Sequence, residues 1–408
     1  MTSPAPSEPR LPPFRRLMWN RIALMAGLPG QLPFLTALKP DYLRALAGQG
    51  SLHSGLSIHG CFRSQTGLGE ATRQLAKSAM AAQLPFVPVE ILASSQDRET
   101  DFDALLSDRP DRVATLQVLG LTAIPLITRR LDPRKFNMLY AFWELDTVPR
   151  QIRHLASRCD EIWTPGSFVH DVFAAFMPGR TCLVPQPVEL PDEQPGPRED
   201  RIGLKVLSFF DYDSFFERKN PLASIRAFQA AFPASQRDVS LTIKTRGAND
   251  AGRRADLLEI AASDPRITIL DDYLTRQGMR ELLREHDVFI SLHRSEGFGF
   301  GPAEAIAQGR VAIATDYGGT TDYLNPQTGY PVSFSMRPVP PGAYVHADRA
   351  QWAEPDIDHA SAILRAIYDR PQEADDRARA GFAYLRANHS HQAVGKLIHS
   401  LAAARGIV

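Results

Sequence analysis

The sequence predicts an α/β protein with two doubly wound domains that face each other across a cleft. A length of 408 residues allows two or three domains of ordinary size. Short, largely apolar runs alternate with helical segments, as expected of parallel strands covered by helices on both faces. The stretch Pro185–Pro197 contains five prolines and separates two such series. Because proline cannot pair within a central strand, this stretch is predicted to be the hinge between the domains.

The first half of the chain alternates strands and helices, which indicates parallel βαβ units. We place this domain at residues 51–190. Its predicted elements are the strand Gly55–His59, the helix Gly67–Ala82, the strands Phe86–Ile91, Val113–Leu119 and Phe136–Phe142, the helix Pro149–Arg158, and the strands Glu161–Thr164 and Thr181–Val184.

The second half repeats this organisation with a different sequence, and we place the second domain at residues 198–371. A final helix, 372–404, is expected to pack back on the first domain. The elements predicted before it are the strand Leu204–Phe210, the helix Pro221–Phe232, the strand Val239–Lys244, the helix Asp250–Ala262, the strand Ile267–Leu270, the helix Thr275–Glu285, the strand Val288–Leu292, the helix Pro302–Gln308 and the strand Val311–Thr315.

Charge and cysteine usage exclude several classes of protein. Lys plus Arg and Asp plus Glu both number 46, and this balance argues against a general nucleic-acid binder, which carries a basic excess. The three cysteines, Cys61, Cys159 and Cys182, are odd in number and lack metal-ligand spacing. They argue against a disulfide framework and against a zinc site.

Residues 1–50 are interpreted as an N-terminal extension. Met1–Pro13 is polar and lacks the basic start and apolar run of a secretory signal. The uncharged run Ile22–Leu38 is interrupted by glycines and prolines, which shortens any continuous apolar face. We expect the extension to pack on the main body of a cytoplasmic protein. Peripheral contact with the inner face of the membrane is the alternative.

The segment His293–Glu304, H-R-S-E-G-F-G-F-G-P-A-E, carries the clearest chemical signal because it joins an apolar strand to a helix. Its glycines let the backbone approach a ligand closely, and Pro302 suits the first helical turn. Free amides at the helix start form an anion site suited to a phosphate. Glu296 and Glu304 flank this site with seven residues between them. Carboxylates beside a diphosphate are suited to sugar hydroxyls, a ribose on one side and a hexose on the other.

Two other interpretations of this segment exist. It could be a glycine-rich strand-to-helix turn with two solvated glutamates, since such turns are common in α/β folds. A dinucleotide site would need a third small residue after Gly299 and Gly301, at the position that Glu304 occupies. The segment also follows a late strand rather than the first one, which disfavours the dinucleotide reading.

With these residues, the sequence resembles a known family. Glu296 and Glu304 match the E-x₇-E motif of retaining GT-B glycosyltransferases of family 4, glycosyl transferases group 1 of the bacterial polysaccharide type. Upstream, Glu217–Pro221 reads E-R-K-N-P as in many members, and Gly67–Glu70 resembles the glycine loop that faces the donor. The resemblance covers roughly residues 55 to 400. Two further segments similar to bacterial polysaccharide glycosyltransferases are Phe142–Leu145 and Trp163–Ser167.

The resemblance implies two Rossmann-like domains in the GT-B arrangement. It implies an enzyme that moves a hexose from a nucleotide-sugar donor to a glycan or lipid-linked acceptor, with retention of configuration, in surface polysaccharide assembly. Mannose from GDP-mannose is the expected donor, with no cofactor and no required metal. A nucleotide-sugar-binding or glycan-binding protein without turnover is one alternative, and Glu296, Glu304 and Lys219 together argue against it. An NAD-dependent oxidoreductase is the other, disfavoured by the missing third glycine.

The resemblance also assigns roles on the donor side of the cleft. Glu304 would accept hydrogen bonds from the ribose, Glu296 would contact the hexose, and Gly67 and Gly69 would let the first domain close over the diphosphate. Asp211-Tyr212-Asp213 resembles a D-x-D metal motif, but that pattern also occurs at residues 101–103 and is not taken as a metal site. The residues expected to bind the donor are Lys244, Gly299, Phe300, Gly301, Glu304, Gly67 and Gly69.

Fixed cations are the usual means of stabilising a leaving diphosphate where no metal is bound. Arg218 and Lys219 precede a helix start, where cations oppose the helix dipole and their position therefore needs an explanation. Asp213 stands where many family members carry a further basic residue, so Lys219 is expected to pair with Lys244. The expected catalytic residues are Glu296, Lys219 and Arg218.

Glu144 is expected on the acceptor side of the cleft, with a structural ion pair as the alternative. Its neighbour Trp143 could stack on a sugar. A buried aromatic is favoured instead, given how much area a tryptophan buries.

Overall fold

The computed structural model of the protein describes residues 51–93, 99–121, 131–199, 201–247 and 251–408, together with a short strand at Ala37–Leu38. This strand pairs antiparallel with Leu92–Ala93. The rest of the predicted N-terminal extension, and the membrane contact considered for it, lie outside the described residues. In the part of the chain that is described, no helix is long and apolar enough to cross a membrane.

The first domain is a parallel sheet of six strands with helices on its faces. Its elements are β1 (Ala37–Leu38), β2 (His53–Gly60), α1 (Gly67–Ala81), β3 (Phe86–Glu90), β4 (Leu92–Ala93), β5 (Arg112–Gly120), β6 (Phe136–Phe142), α2 (Arg150–Ala156), β7 (Glu161–Thr164), α3 (Ser167–Ala174) and β8 (Thr181–Leu183). The strand order is β3-β2-β5-β6-β7-β8. Most strand residues are buried, as the continuous apolar runs predict.

The second domain is also a parallel sheet of six strands, in the order β11-β10-β9-β12-β13-β14. Its elements up to β14 are β9 (Leu204–Asp211), α4 (Phe216–Lys219), α5 (Pro221–Ala231), β10 (Val239–Arg246), α6 (Ala251–Ala262), β11 (Ile267–Leu270), α7 (Arg276–Arg284), β12 (Val288–Ser291), α8 (Phe300–Ala307), β13 (Val311–Thr315) and β14 (Tyr330–Val332). The fold class predicted from the sequence, two doubly wound α/β domains, is therefore confirmed.

The strand order of the second sheet reverses direction between β9 and β12, which are neighbours in the sheet although β10 and β11 lie between them in the sequence. In doubly wound sheets a crevice opens at the carboxyl ends of the strands at such a switch point. The loop after β9 leads to Lys219, and the loop after β12 leads to Glu304. The topology thus brings the two predicted motifs to one edge of the sheet.

Beyond β14 the structure departs from the prediction. It contains an unpredicted antiparallel hairpin, β15 (Phe334–Pro338) and β16 (Gln351–Pro355), and an unpredicted helix, α9 (Ile357–Asp369). The single helix expected at 372–404 is two helices, α10 (Pro371–Asn388) and α11 (His391–Ala404). The break lies where the Ser390 side chain caps α11 by accepting a hydrogen bond from the Ala393 amide.

Helix α11 packs on α1 of the first domain. A Cβ atom on Gly395 would lie 2.4 Å from the carbonyl oxygen of Ser78, so the two helices approach as closely as their backbones allow. Beyond the helix, the Ile407 carbonyl accepts a hydrogen bond from the Gly55 amide at 2.8 Å. The C-terminal segment is therefore part of the first domain's structure.

The proline-rich stretch between the domains is packed on both of them. The side chains of Val184, just before the stretch, and Val188, within it, lie in a core cluster to which both domains contribute. Glu189 forms ion pairs with Lys77 of α1 and with Arg280 of α7. The stretch predicted to be a hinge is therefore held by contacts with both domains.

The hairpin and its connecting residues, 334–355, form an arm that extends from the second domain onto the first. Tyr344, Val345 and Trp352 of the arm are buried in one cluster with Trp143 and Leu145. The arm therefore completes an apolar core that belongs mainly to the first domain.

Candidate functional site

A cleft of about 470 Å³ lies between the two domains, at the carboxyl ends of β9 and β12. Both domains contribute to its walls. The predicted site residues that line it are Gly67, Glu144, Arg218, Lys219, Lys244, Glu296, Gly299, Phe300, Gly301 and Glu304.

The glycine loop, residues 293–299, ends in a backbone conformation that requires glycine. Gly299 has φ +86°, and a Cβ there would lie 2.5 Å from the Thr320 side chain. The Tyr323 hydroxyl donates to the Gly299 carbonyl at 2.5 Å and fixes the turn. Helix α8 begins at the next residue, Phe300, and no side chain caps its start. Its first amides therefore face the cleft free to bind an anion.

Helix α1 of the first domain begins opposite α8. Its first residue, Gly67, lies against the Phe300 ring, 3.7 Å from the position a Cβ would take. Gly69, in contrast, does not line the cleft. It is buried where a Cβ would come within 2.0 Å of the Ser64 carbonyl oxygen. There it packs α1 against the preceding loop, where only glycine fits, and its donor-binding role stays a prediction.

Glu296 is a buried carboxylate held by two cations. Lys219 Nζ lies 2.5 Å from one carboxylate oxygen, and an Arg218 nitrogen lies 3.0 Å from the other. Burial alone would raise the pKa of Glu296, but Lys219 and Arg218 outweigh it and lower this pKa to about 2. The carboxylate is therefore ionised throughout the physiological pH range and can only accept hydrogen bonds.

Arg218 and Lys219 differ in what they can offer to a ligand. Arg218 is buried and also donates to the carbonyls of Ser295 at 2.9 Å and Ser214 at 3.1 Å. Its guanidinium thus orients Glu296 and ties two loops together. The Lys219 side chain is 23% exposed, so its ammonium can reach a ligand in the cleft while it stays paired with Glu296.

Glu304 lies in the second turn of α8, in the opposite electrostatic situation. Burial, followed by repulsion from Glu70 of α1, raises the pKa of Glu304 to about 8, although Arg276 and Arg280 oppose the shift. Among the described residues, no side chain donates a hydrogen bond to this carboxylate. Its oxygens are therefore available to a ligand that carries hydroxyl groups.

Lys244 lies at the end of β10, on the same side of the cleft. Its ammonium donates to the Thr245 carbonyl at 2.6 Å. Burial, and then the neighbouring Arg246, lowers the pKa of Lys244 to about 8. Asp211, the first residue of the D-x-D pattern, forms an ion pair with Arg246 at 2.6 Å. In the described ranges, no group of three or more His, Cys, Asp and Glu side chains is close enough to hold a metal ion.

The sequence did not predict the ion pairs that join the two domains at the mouth of the cleft. Arg276, at the start of α7, lies 2.7 Å from Asp101, 3.2 Å from Glu99 and 3.6 Å from Glu70, all in the first domain. Arg276 is far along the chain from all three carboxylates, so each of the four residues resembles an ordinary surface charge in the sequence.

Glu144 follows β6 on the opposite wall, and its partner is a tyrosine. Tyr344, at the tip of the arm, donates to a Glu144 carboxylate oxygen at 2.5 Å. Among the described residues Glu144 forms no salt bridge, although Arg218 and Lys219 act on it electrostatically. Trp143 is 1% exposed and donates its indole N–H to the Thr147 carbonyl, which confirms the prediction of a buried aromatic. No sequence motif pointed to Tyr344.

Comparison with known proteins locates a family match on this site. Residues 214–338 match the family model described as Glycosyl transferases group 1. The matched segment includes Lys219, Lys244, Glu296 and Glu304. A search of curated protein sequences finds no match to the chain.

Several solved structures resemble most of the chain. HepE from Anabaena, solved in complex with UDP and glucose, is 12% identical with a TM-score of 0.64, and the likeness covers 86% of this chain and 100% of that one. Sucrose-phosphate synthase from Thermosynechococcus elongatus is 12% identical with a TM-score of 0.62, over 87% of this chain and 99% of that one. The apo lipopolysaccharide outer core galactosyltransferase WaaB is 11% identical with a TM-score of 0.59, over 86% and 99%.

At these identities the likeness shows the fold. The chain has the GT-B arrangement, in which two Rossmann-like domains face each other across a cleft. The glycosyl transferases group 1 match falls on the part of the second domain that holds both glutamates and both lysines of that cleft.

Proposed function

We propose that the protein is a glycosyltransferase. It transfers a hexose from a nucleotide-sugar donor to a glycan or lipid-linked acceptor. The observation that carries this proposal is the arrangement of the glycine loop. Glu296, paired with Lys219, and Glu304 lie on either side of the uncapped start of α8, inside an interdomain cleft. This arrangement offers hydrogen-bond acceptors for hydroxyl groups at both ends and an anion site between them. It therefore matches a sugar, a diphosphate and a ribose in that order.

The donor side is supported by chemistry and by likeness. Because it is ionised, Glu296 accepts hydrogen bonds from hexose hydroxyls, and Glu304 accepts them from the ribose. HepE, a protein of the same fold, was solved with UDP and glucose bound. Mannose as the transferred sugar and GDP as the nucleotide rest on the sequence resemblance and form part of the proposal. Retention of configuration and a role in surface polysaccharide assembly rest on the same resemblance.

The leaving diphosphate gains negative charge as the bond to the sugar breaks. The ammonium groups of Lys219 and Lys244 and the first amides of α8 stabilise this charge, as fixed donors do in other sites that develop an anion. We propose that they are sufficient without a metal ion. Incubation with EDTA should then leave the transfer rate unchanged, and a loss of activity that is restored by Mg²⁺ would show that a metal is required.

The test is a panel of nucleotide sugars that includes UDP-glucose and GDP-mannose, with the released nucleotide measured in the presence and absence of a mixture of glycan acceptors. We expect release from one donor to increase when acceptor is added. If no donor gives release under any condition, the protein is not a transferase and its cleft serves binding alone.

The ribose role of Glu304 has its own test by calorimetry with UDP and GDP. Glu304→Ala should weaken binding of the preferred nucleotide by about 2- to 10-fold, because Glu304, with its pKa raised to about 8, is largely protonated at pH 7, and hydrogen bonds between neutral groups contribute about 0.5–1.5 kcal/mol each. Glu285→Ala, on the exposed end of α7, is the control. An unchanged affinity in Glu304→Ala would exclude the ribose contact.

A further inference from the structure

The arm places a side chain of the second domain on the acceptor wall of the cleft. Tyr344 is buried against Trp143, with ring centroids 5.9 Å apart, and against Phe215, at 4.4 Å. From this anchored position its hydroxyl donates to Glu144. The tyrosine is therefore fixed at both ends, and it limits the conformations that the Glu144 carboxylate can adopt.

The backbone of Glu144 is fixed as well. The Ser295 hydroxyl donates to the Glu144 carbonyl. Gly297 approaches the preceding residue so closely that a Cβ would lie 2.9 Å from the Trp143 carbonyl oxygen. The end of β6 thus rests directly on the glycine loop, and Glu144 is held beside the residues that would bind the donor sugar.

The backbone conformation of Phe215 is a second, independent observation that points to a functional site on this wall. It has φ +65°, a conformation that bulky residues avoid, and it lines the cleft against Tyr344. Strain of this kind persists only where the surroundings impose it, and it is concentrated at functional sites. Here it holds the ring of Phe215 on the wall that also carries Glu144.

The chemistry of this wall selects for hydroxyl groups and against anions. Among the described residues, Tyr344 is the only side chain that donates to the Glu144 carboxylate, which leaves acceptor capacity free. Two cations act electrostatically on Glu144, Arg218 and Lys219, and both are paired with Glu296. Arg218 also donates to two loop carbonyls, and Lys219 is assigned to the donor diphosphate. A carboxylate with no free cation beside it accepts hydrogen bonds from hydroxyls and repels a second carboxylate or a phosphate.

We propose that Glu144, positioned by Tyr344, is the subsite for the acceptor, and that it requires an uncharged sugar at the accepting position. This inference rests on the proposed function and names the chemical class of the acceptor. Any charged group of the acceptor must lie farther along the glycan or lipid, away from this wall. Tyr344 is a positioning residue, since it acts on the acceptor through Glu144.

The experiment compares methyl glycosides of glucose, galactose and mannose with the corresponding uronic acids as acceptors, using the donor that the panel identifies. The wild-type protein should prefer the neutral sugar by at least about 10-fold in kcat/KM. Glu144→Gln should lose most of this preference, because the amide no longer repels a carboxylate. Tyr344→Phe should raise the KM for the neutral acceptor several-fold and leave nucleotide affinity unchanged.

The matched controls come from a second tyrosine–carboxylate pair outside the cleft. Tyr368 donates to Asp238 at 2.5 Å, so Tyr368→Phe and Asp238→Asn remove the same type of bond at a distance. Neither should change the ratio of neutral to charged acceptors. Calorimetry with UDP and GDP verifies that each variant retains a folded donor site.

The outcomes separate the two proposals. Transfer by the wild type with an unchanged neutral-to-uronic ratio in Glu144→Gln overturns the acceptor subsite and leaves the transferase proposal intact. The same holds if Tyr344→Phe alters nucleotide affinity but not the KM for the acceptor. No transfer from any donor by the wild type overturns both.

Discussion

The two glutamates of the glycine loop are the same residue type in opposite surroundings. Glu296 is flanked by two cations and has its pKa lowered to about 2, whereas Glu304 faces Glu70 across the cleft and has its pKa raised to about 8. Both carboxylates are removed from water, so burial cannot explain why their pKa values shift in opposite directions. The difference arises from the charged partners that the fold brings to each end of the loop. One end of the loop is therefore charged before any ligand binds. The carboxylate at the other end still has hydrogen-bonding capacity for a ligand.

The largest expected effect is that of removing the lysine beside Glu296, at the charged end of the loop. Lys219→Met should lower the transfer rate by about 10³-fold, the loss typical of removing one fixed donor from a developing anion. Lys205→Met, on the exposed start of β9, is the control because it keeps the fold and lies away from the cleft. Nucleotide release at saturating donor measures the rate. A loss below tenfold would show that Lys219 serves only to hold Glu296.

The next effect is on stability at the same end. Glu296→Gln should lower the free energy of unfolding by about 3 kcal/mol at pH 7, because it leaves Arg218 and Lys219 without their anion. The pKa of Glu296 is below its unfolded value, so its contribution is present above about pH 4.5 and is lost as the pH falls towards 2. Denaturant titrations at pH 7 and pH 3 check this, with Glu285→Gln as the exposed control. Equal destabilisation at both pH values would contradict it.

For Glu304, at the other end of the loop, the pH dependence of stability should have the opposite sign. The pKa of Glu304 is above its unfolded value, so its contribution to stability is present below about pH 4.5 and is lost as the pH rises through 8. Glu304→Gln should therefore melt a few degrees above the wild type at pH 9 and at nearly the same temperature at pH 5. Thermal unfolding without ligand measures the difference. A variant that is less stable than the wild type at pH 9 would remove the contrast between the two glutamates.

The smallest effect concerns Lys244, near the end of β10. With the pKa of Lys244 lowered to about 8, its charge is lost as the pH rises through that value. Affinity for UDP or GDP should therefore fall several-fold between pH 7.5 and pH 9. Lys244→Arg, which stays charged, should show a smaller decline by calorimetry. If the two proteins decline in parallel, the titration belongs to another group.

Most of the fold and much of the site could be predicted from local patterns in the sequence. The strands Phe136–Phe142 and Glu161–Thr164 have the bounds that their apolar runs predict. Glu296 and Glu304 were identified because glycines, a proline and charges at fixed spacing specify a strand-to-helix turn, and Lys219 was identified through the family resemblance. These features depend on a few neighbouring residues, so they can be recognised without knowledge of the rest of the chain.

The features that were missed depend on contacts between distant segments. Tyr344 meets Glu144 across 200 positions of sequence, and Arg276 meets Asp101 across 175. Gly69 was assigned to the donor site from a motif, but the close approach of Ser64 decides its role. The helix Ser167–Ala174 was overlooked, and its start is held by Asp322 of the second domain, which accepts from the Ser167 amide at 2.7 Å.

The packing of the last helix on α1 has a consequence for biosynthesis. During translation the first domain leaves the ribosome before the second, but the surface of α1 that Gly395 covers stays open until α11 has been made. The arm likewise fills part of that domain's core only after most of the second domain has emerged. The nascent first domain therefore exposes apolar surface while the second domain is synthesised, and its packing is completed only after α11 has emerged.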